Sequence, residues 1–175
     1  MLRPKIIEST IMSESARVNI GSVRAQIEIH SGSQKKYEYD ESSQNHKLDR
    51  MLQAPMPENV HYGFILNTIG RDGDRHDVFV LSDRYLDHGD VLAVKPVGVL
   101  FAEDEEGLDH KIIAVDANDS KYSHFNSLRD VDQRLLMIIH EVVLSSKNNT
   151  GLRIDIRGYG DEKDAYKELF EAAMR

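Results

Sequence analysis

A chain of 175 residues with 22 Lys and Arg against 30 Asp and Glu carries a formal net charge of −8. That is long enough to bury one real core, and it excludes the clustered cations that nucleic acid or an anionic membrane surface requires. The absence of cysteine excludes a disulfide framework and thiol chemistry, and no apolar run approaches the ~20 residues of a membrane span. Met1 to Met12 holds Arg3, Lys5 and Glu8 and lacks the uninterrupted apolar core of a signal peptide. The expectation is a cytoplasmic protein folded as a single domain over 1–175, with 1–15 as a loosely ordered N-terminal segment.

In chain order, Val23, Ala25, Ile27 and Ile29 alternate with Arg24, Gln26, Glu28 and His30, the period of a half-buried strand. Ser31-Gly32-Ser33 turns the chain, Lys36-Tyr37-Glu38-Tyr39 begins a second run, and Lys47 to Leu52 is a short third. Pro55 and Pro57 impose a loop before Tyr62. Val78 to Leu81 and Val91 to Leu100 are near-continuous apolar runs, the latter bent at Pro96-Val97-Gly98, and Ile112 to Val115 follows. Over 131–146 the period changes: Leu135, Leu136, Ile139, Val142 and Val143 share a helical face, with Asp130 as N-cap. A last strand is predicted over Leu152 to Ile156. A last helix follows, capped by Asp161, with Ala165, Leu169, Phe170 and Ala173 as its buried stripe. Strands first and helices later predict an α+β fold, a strongly curved sheet or small barrel with helices on its side.

Two acidic turns interrupt this pattern. Asp72-Gly73-Asp74-Arg75-His76-Asp77 stands at the mouth of one apolar strand, and Asp104-Glu105-Glu106-Gly107-Leu108-Asp109-His110-Lys111 at the mouth of another. Asp-Gly commonly does no more than make a turn. Carboxylates packed so tightly repel one another unless cations lie between them, and hard oxygen donors suit Mg²⁺ or Mn²⁺. A second acidic turn closed by a lysine suggests a metal-and-phosphate site. An EF-hand is excluded, because its sixth loop position must be glycine and is Asp77 here. The histidines show no zinc-helix spacing, and for His76 and His110 a surface position in the turns is the default expectation.

These residues, with Ile27-Glu28-Ile29, Lys36-Tyr37-Glu38, Asp49-Arg50, Tyr62-Gly63-Phe64, Lys95-Pro96-Val97-Gly98-Val99 and Arg157-Gly158-Tyr159 in the same order, make the chain resemble the soluble family I inorganic pyrophosphatases from about Val23 to Phe170. The resemblance implies a five-stranded OB-type β-barrel with flanking strands and two helices in the C-terminal half. It also implies hydrolysis of pyrophosphate to two phosphates with several Mg²⁺ ions, Mn²⁺ being an alternative, and a homo-oligomer. By the same resemblance Asp72, Asp77 and Asp109 hold the first metal of a nucleophile pair, Asp77 bridging to the second. Asp104 and Asp109 serve metals arriving with the substrate, with Glu28 contributing through water. Asp74 matches the general base; Lys36, Arg50, Tyr62 and Lys111 match the phosphate-holding groups; Glu38 matches an outer acidic residue. Two departures stand out. Arg75 and His76 replace a proline or glutamate and an apolar residue between the aspartates, and losing the proline is expected to loosen the turn. The family's Tyr-Lys phosphate clamp aligns with Ser145-Ser146, leaving Lys147 or Arg153 to substitute for it. A fold that binds metal and phosphate with weakened catalysis, or acts on another phosphoanhydride, is the alternative these departures keep open.

Overall fold

A computed structural model describes residues 23–173; the N-terminal segment 1–15 lies outside the described residues. Among the described residues nine strands and two α-helices follow one another: β1 (Val23–Ile29), β2 (Lys35–Asp40), β3 (Asn45–Met51), β4 (Val60–Ile65), β5 (Asp77–Leu81), β6 (Val91–Asp104), β7 (Gly107–Leu108), β8 (Lys111–Asp116), α1 (Gln133–Ser145), β9 (Ile154–Gly160) and α2 (Glu162–Ala173). Strands β1, β4, β5, β8 and β6 pair in that order, and β6 pairs back onto β1, closing a ring of five. This is the OB-type α+β architecture. β9 extends the sheet along the second half of β6, and β2–β3 form a separate hairpin.

The apolar runs at β5 and β8 are continuous because both faces of these strands are covered. Val78 and Val80 join the cluster under Ala165 and Leu169 of α2, while Phe79 and Leu81 join the one under Ile139 and Val143 of α1. β6 spans both clusters by bending, and its register against β8 shifts between Pro96 and Gly98, as the Pro-Val-Gly segment predicts. Closing the ring brings β4 hard against β1. A Cβ on Gly63 would stand 1.9 Å from the Gln26 carbonyl oxygen, so the glycine between Tyr62 and Phe64 is a condition of that pairing.

Four sequence expectations are corrected. The first helix starts at Gln133, and its N-cap is Asp132, which accepts from the Arg134 N–H at 2.7 Å. Asp130 instead closes a capping box with Ser127 around the 3₁₀ turn Leu128–Asp130. The last strand is displaced to Ile154–Gly160, because the turn after α1 runs on and leaves Leu152 42% exposed. On α2, capped by Asp161 as expected, the buried positions are Ala165, Leu169 and Ala172; Phe170 points outward, 45% exposed.

Candidate active site

The topology that matters for chemistry is the parallel pairing of β5 with β8, where Val78 opposes Ile112 and Leu81 opposes Val115. Parallel neighbours begin at the same edge of a sheet, so the turns leading into them, both acidic here, must lie side by side. Between them opens a cleft of about 560 Å³, into which Tyr62 projects from β4, Lys36 and Arg50 from the β2–β3 hairpin, and Lys147 from the turn after α1. Asp72, Asp74, Asp77, Asp104, Asp109 and Lys111 line the same cleft. Glu28 and Glu38 do not line it. Glu38 is exposed and receives the Lys36 ammonium at 2.7 Å, while Glu28 sits behind, within the field of Lys36, Asp77, Glu38 and Asp49.

The first turn is held by its own backbone. Gly70 N–H donates to the Asp74 carbonyl at 2.5 Å, Gly73 N–H to the Gly70 carbonyl at 3.2 Å, and Asp74 N–H to Asp72 Oδ1 at 3.0 Å. Gly73 adopts φ +87°, a left-handed conformation that a side chain would strain. These bonds close the turn without a proline. Arg75 leaves the cleft, its guanidinium 4.6 Å above the Phe64 ring and 3.5 Å from Glu41. The second turn is a tight hairpin in which Asp104 pairs with Gly107 through β7, an element too short to be read from sequence.

Cations already sit among the carboxylates. The Lys111 ammonium, on a residue 7% exposed, lies 2.5 Å from Asp77 Oδ2 and 2.6 Å from Asp109 Oδ1. Burial alone would push the Asp77 carboxyl up; Lys111, with the Tyr62 hydroxyl, outweighs it and holds the carboxyl below its ordinary value. Burial would likewise depress the Lys111 ammonium, yet Asp77 and Asp109 raise it. The Tyr62 phenol is pushed well above its usual range, by burial first and then by Asp77 and the other carboxylates, and so stays protonated. Glu28 has the opposite problem: burial raises its carboxyl to about 7, against the partial relief of Lys36. Asp74 meets no cation among the described residues.

A further cation enters from the end of α1. The Ser145 and Ser146 hydroxyls donate back to the Val142 and Val143 carbonyls at 3.0 and 2.6 Å, closing the last turn of α1. Lys147 reaches the cleft, its ammonium 3.1 Å from Asp104 Oδ2, whereas Arg153 is exposed and outside the cleft lining. Burial would raise the Asp104 carboxyl, but Lys147 and the Glu106 and Gly107 N–H groups hold it low.

His76 and His110 overturn the expectation of surface positions. His76 is 6% exposed, and both imidazoles face Glu168 of α2, at 3.5 and 3.0 Å. Their contacts hold the Glu168 carboxyl well below its usual range. Glu168 was not singled out from the sequence, and Asp49, quoted there only within the Asp49-Arg50 motif, was given no role; it lies 4.0 Å from Lys36. The available signal for Glu168 was a carboxylate three residues after Ala165 and next to Leu169, on the face that must be buried.

Comparison with known proteins gives concordant results. The family profile described as inorganic pyrophosphatase matches residues 25–175. Sequence relatives include inorganic pyrophosphatases of Sulfolobus acidocaldarius, 36% identical over 87% of this chain and 90% of that one, and of Nostoc, 37% identical over 89% and 91%. The crystal structure of inorganic pyrophosphatase from Thermus thermophilus superposes with a TM-score of 0.80 at 35% identity, covering 87% of this chain and 89% of that one.

Proposed function

The chain belongs to the inorganic pyrophosphatase family and is an inorganic diphosphatase, and from that premise we propose that it hydrolyses pyrophosphate in the cleft between the two acidic turns with Mg²⁺ as its cofactor. The observation that carries this reading is the convergence of Asp72, Asp74, Asp77, Asp104 and Asp109 with Lys36, Arg50, Tyr62, Lys111 and Lys147 on one cleft.

Among the described residues no group of three or more acids or histidines is gathered closely enough to hold a metal ion as it stands. The donor set nevertheless fits a hard divalent cation. It offers carboxylate oxygen without thiolate or imidazole facing the cleft, and the ammonium of Lys111 already bridges two of the acids. Asp72, Asp77 and Asp109 would hold one ion, with Asp77 shared with a second; Asp104 and Asp109, with Glu28 through water, would hold those that accompany substrate. When bound, these ions neutralise phosphate oxygens and lower the pKa of a water.

Asp74 takes the proton of the attacking water, a role suited to a cleft-lining carboxylate without a cationic partner. The water oxygen bonds to one phosphorus, the bridging P–O bond breaks, and the departing phosphate keeps the electron pair. Lys36, Arg50 and Lys147 approach that phosphate from the hairpin and the α1 turn. Tyr62, kept protonated, donates from β4. Fixed cations stabilise the charge that builds on the leaving group more than they stabilise bound substrate. Lys147, in the cleft, argues against the weakened-catalysis alternative so far as it rested on a missing clamp. The homo-oligomer reading is supported by Met137 and Ile138 on the outer face of α1, 63% and 42% exposed.

The test is phosphate release from pyrophosphate with and without Mg²⁺ in wild type and Asp77→Ala. Activity should require the metal and vanish in the variant; full Mg²⁺-dependent turnover by Asp77→Ala would remove the site assignment.

A further inference from the structure

Adjoining the cleft, and sharing Asp77 and Asp109 with it, is a second cavity of only about 20 Å³ lined also by His76, His110, Glu168 and the two arginines Arg71 and Arg75. We propose that Glu168 is a positioning residue: a His76–Glu168–His110 clasp ties α2 to both acidic turns and sets the spacing of Asp77 and Asp109. The inference rests on the reading of those two aspartates as metal ligands.

Register supplies the first argument. Val78 opposes Ile112 in the parallel β5–β8 ladder, so two positions earlier His76 falls opposite His110, at the edge where the ladder begins. Parallel strands lie about 4.8 Å apart, a gap that one carboxylate can span with an oxygen for each side. Glu168 does so at ion-pair distance: Oε2 lies 3.5 Å from His76 Nε2 and Oε1 3.0 Å from His110 Nδ1, whose angle makes no hydrogen bond. Each imidazole adjoins a cleft aspartate in the chain, His76 preceding Asp77 and His110 following Asp109.

The second argument is that both histidines are themselves fixed, so the clasp can transmit position. The His76 N–H donates to Thr68 Oγ1 at 3.1 Å, and its carbonyl accepts from Ile65 N–H at 2.8 Å. The His110 ring packs edge-on against Phe101, centroids 5.0 Å apart. Glu168 is anchored by its neighbours Ala165 and Leu169, which are 0% and 2% exposed. Partly burying a carboxylate is costly unless it is paired, and the two imidazoles are the basic groups that approach it within 4.0 Å. The third argument is need. Asp77 and Asp109 repel each other across Lys111, and their spacing must survive when larger charges enter; a rear tie resists splaying of the two turns without touching substrate.

The experiment measures Mn²⁺ binding directly, from the loss of the free-ion electron paramagnetic resonance signal, with no substrate present, and separately the Mg²⁺ requirement of turnover. Glu168→Ala should weaken Mn²⁺ binding about 10- to 100-fold, the usual effect of removing a group that orients metal ligands. Saturating Mg²⁺ should restore most of kcat. Phe170→Ala, an outward neighbour on the same helix, should bind as wild type. Combining Glu168→Ala with His110→Asn should cost no more than Glu168→Ala alone, since both break one clasp. If Glu168→Ala does not fold, Glu168→Gln, His110→Asn and their combination form the same cycle. Wild-type Mn²⁺ affinity in the folded Glu168 variants, or fully additive losses, would overturn the clasp while loss of binding in Asp77→Ala leaves the cleft reading standing. No Mn²⁺ binding by wild type would overturn both.

Discussion

Removing the charge of Glu28 should stabilise the metal-free protein, and only where that charge exists. Glu28 stands on β1 among buried residues, and burial, reinforced by Asp77, Glu38 and Asp49, raises its carboxyl from 4.5 to about 7 despite Lys36. The sign follows from proton linkage. Between these two values the folded state holds the proton that the unfolded state has released, so stability is full below about pH 4.5 and is lost as pH rises to about 7. At ~1.4 kcal/mol per unit, the shift corresponds to about 3 kcal/mol above pH 7. Glu28→Gln keeps the shape and removes the titration. In chelator, thermal melting of wild type and variant should coincide near pH 4.5, and at pH 8 the variant should melt about 6–12 °C higher. Comparing the two proteins at each pH cancels the titrating groups that do not interact with Glu28. A difference in melting temperature that does not change with pH, or a variant less stable at pH 8, would refute the claim that burying the charge of this carboxylate costs stability.

Three further outcomes separate the roles around the cleft. Asp74→Asn should lower kcat ~10²–10⁴-fold while leaving direct Mn²⁺ affinity nearly unchanged; a loss mainly of metal binding would make Asp74 a ligand. Lys147→Ala should raise KM for pyrophosphate about tenfold or more, the worth of a charge-assisted hydrogen bond. Arg153→Ala and the Ser145→Tyr, Ser146→Lys pair should not lower or raise it comparably, and a large gain from the pair would mean the clamp is absent rather than moved. Gly73→Ala forces a side chain into a left-handed turn, at a cost of about 1–2 kcal/mol, and should reduce turnover by displacing Asp72 and Asp74; unchanged melting and turnover would show that the turn tolerates the strain.

The barrel was legible because its signals are local. Alternation in β1 and the continuous runs at β5 and β8 follow from which faces are covered, and the bend at Pro96-Val97-Gly98 follows from backbone chemistry. The placement of the cleft acids was legible for a related reason: they stand at the ends of strands that the hydrophobic pattern delimits or in the turns leading into them. Helix ends were harder. Asp130 and Asp132 offer the same side chain two residues apart, and only the tertiary course of the chain decides which caps α1 and which closes the 3₁₀ turn.

Glu168 marks a different limit. Its partners lie 92 and 58 positions earlier in the chain, and its one local signal, a place beside Leu169 on the buried face, does not point to them. What identifies it is a conjunction of parallel register, which sets His76 beside His110, and helix phase, which turns Glu168 inward with Leu169. The displaced outcome for Phe170 belongs to the same cause. A helix that buries Ala165, Leu169 and Ala172 along one edge presents position 168 at the flank nearest the strand ends and sends position 170 to the opposite side. Had Phe170 been inward, as hydrophobicity alone suggests, Glu168 would have faced solvent and both histidines would have lacked an acid. The misplaced phenylalanine and the overlooked glutamate are therefore one rotation of α2, fixed by the small residues Ala165 and Ala172 that let the helix sit close to the sheet.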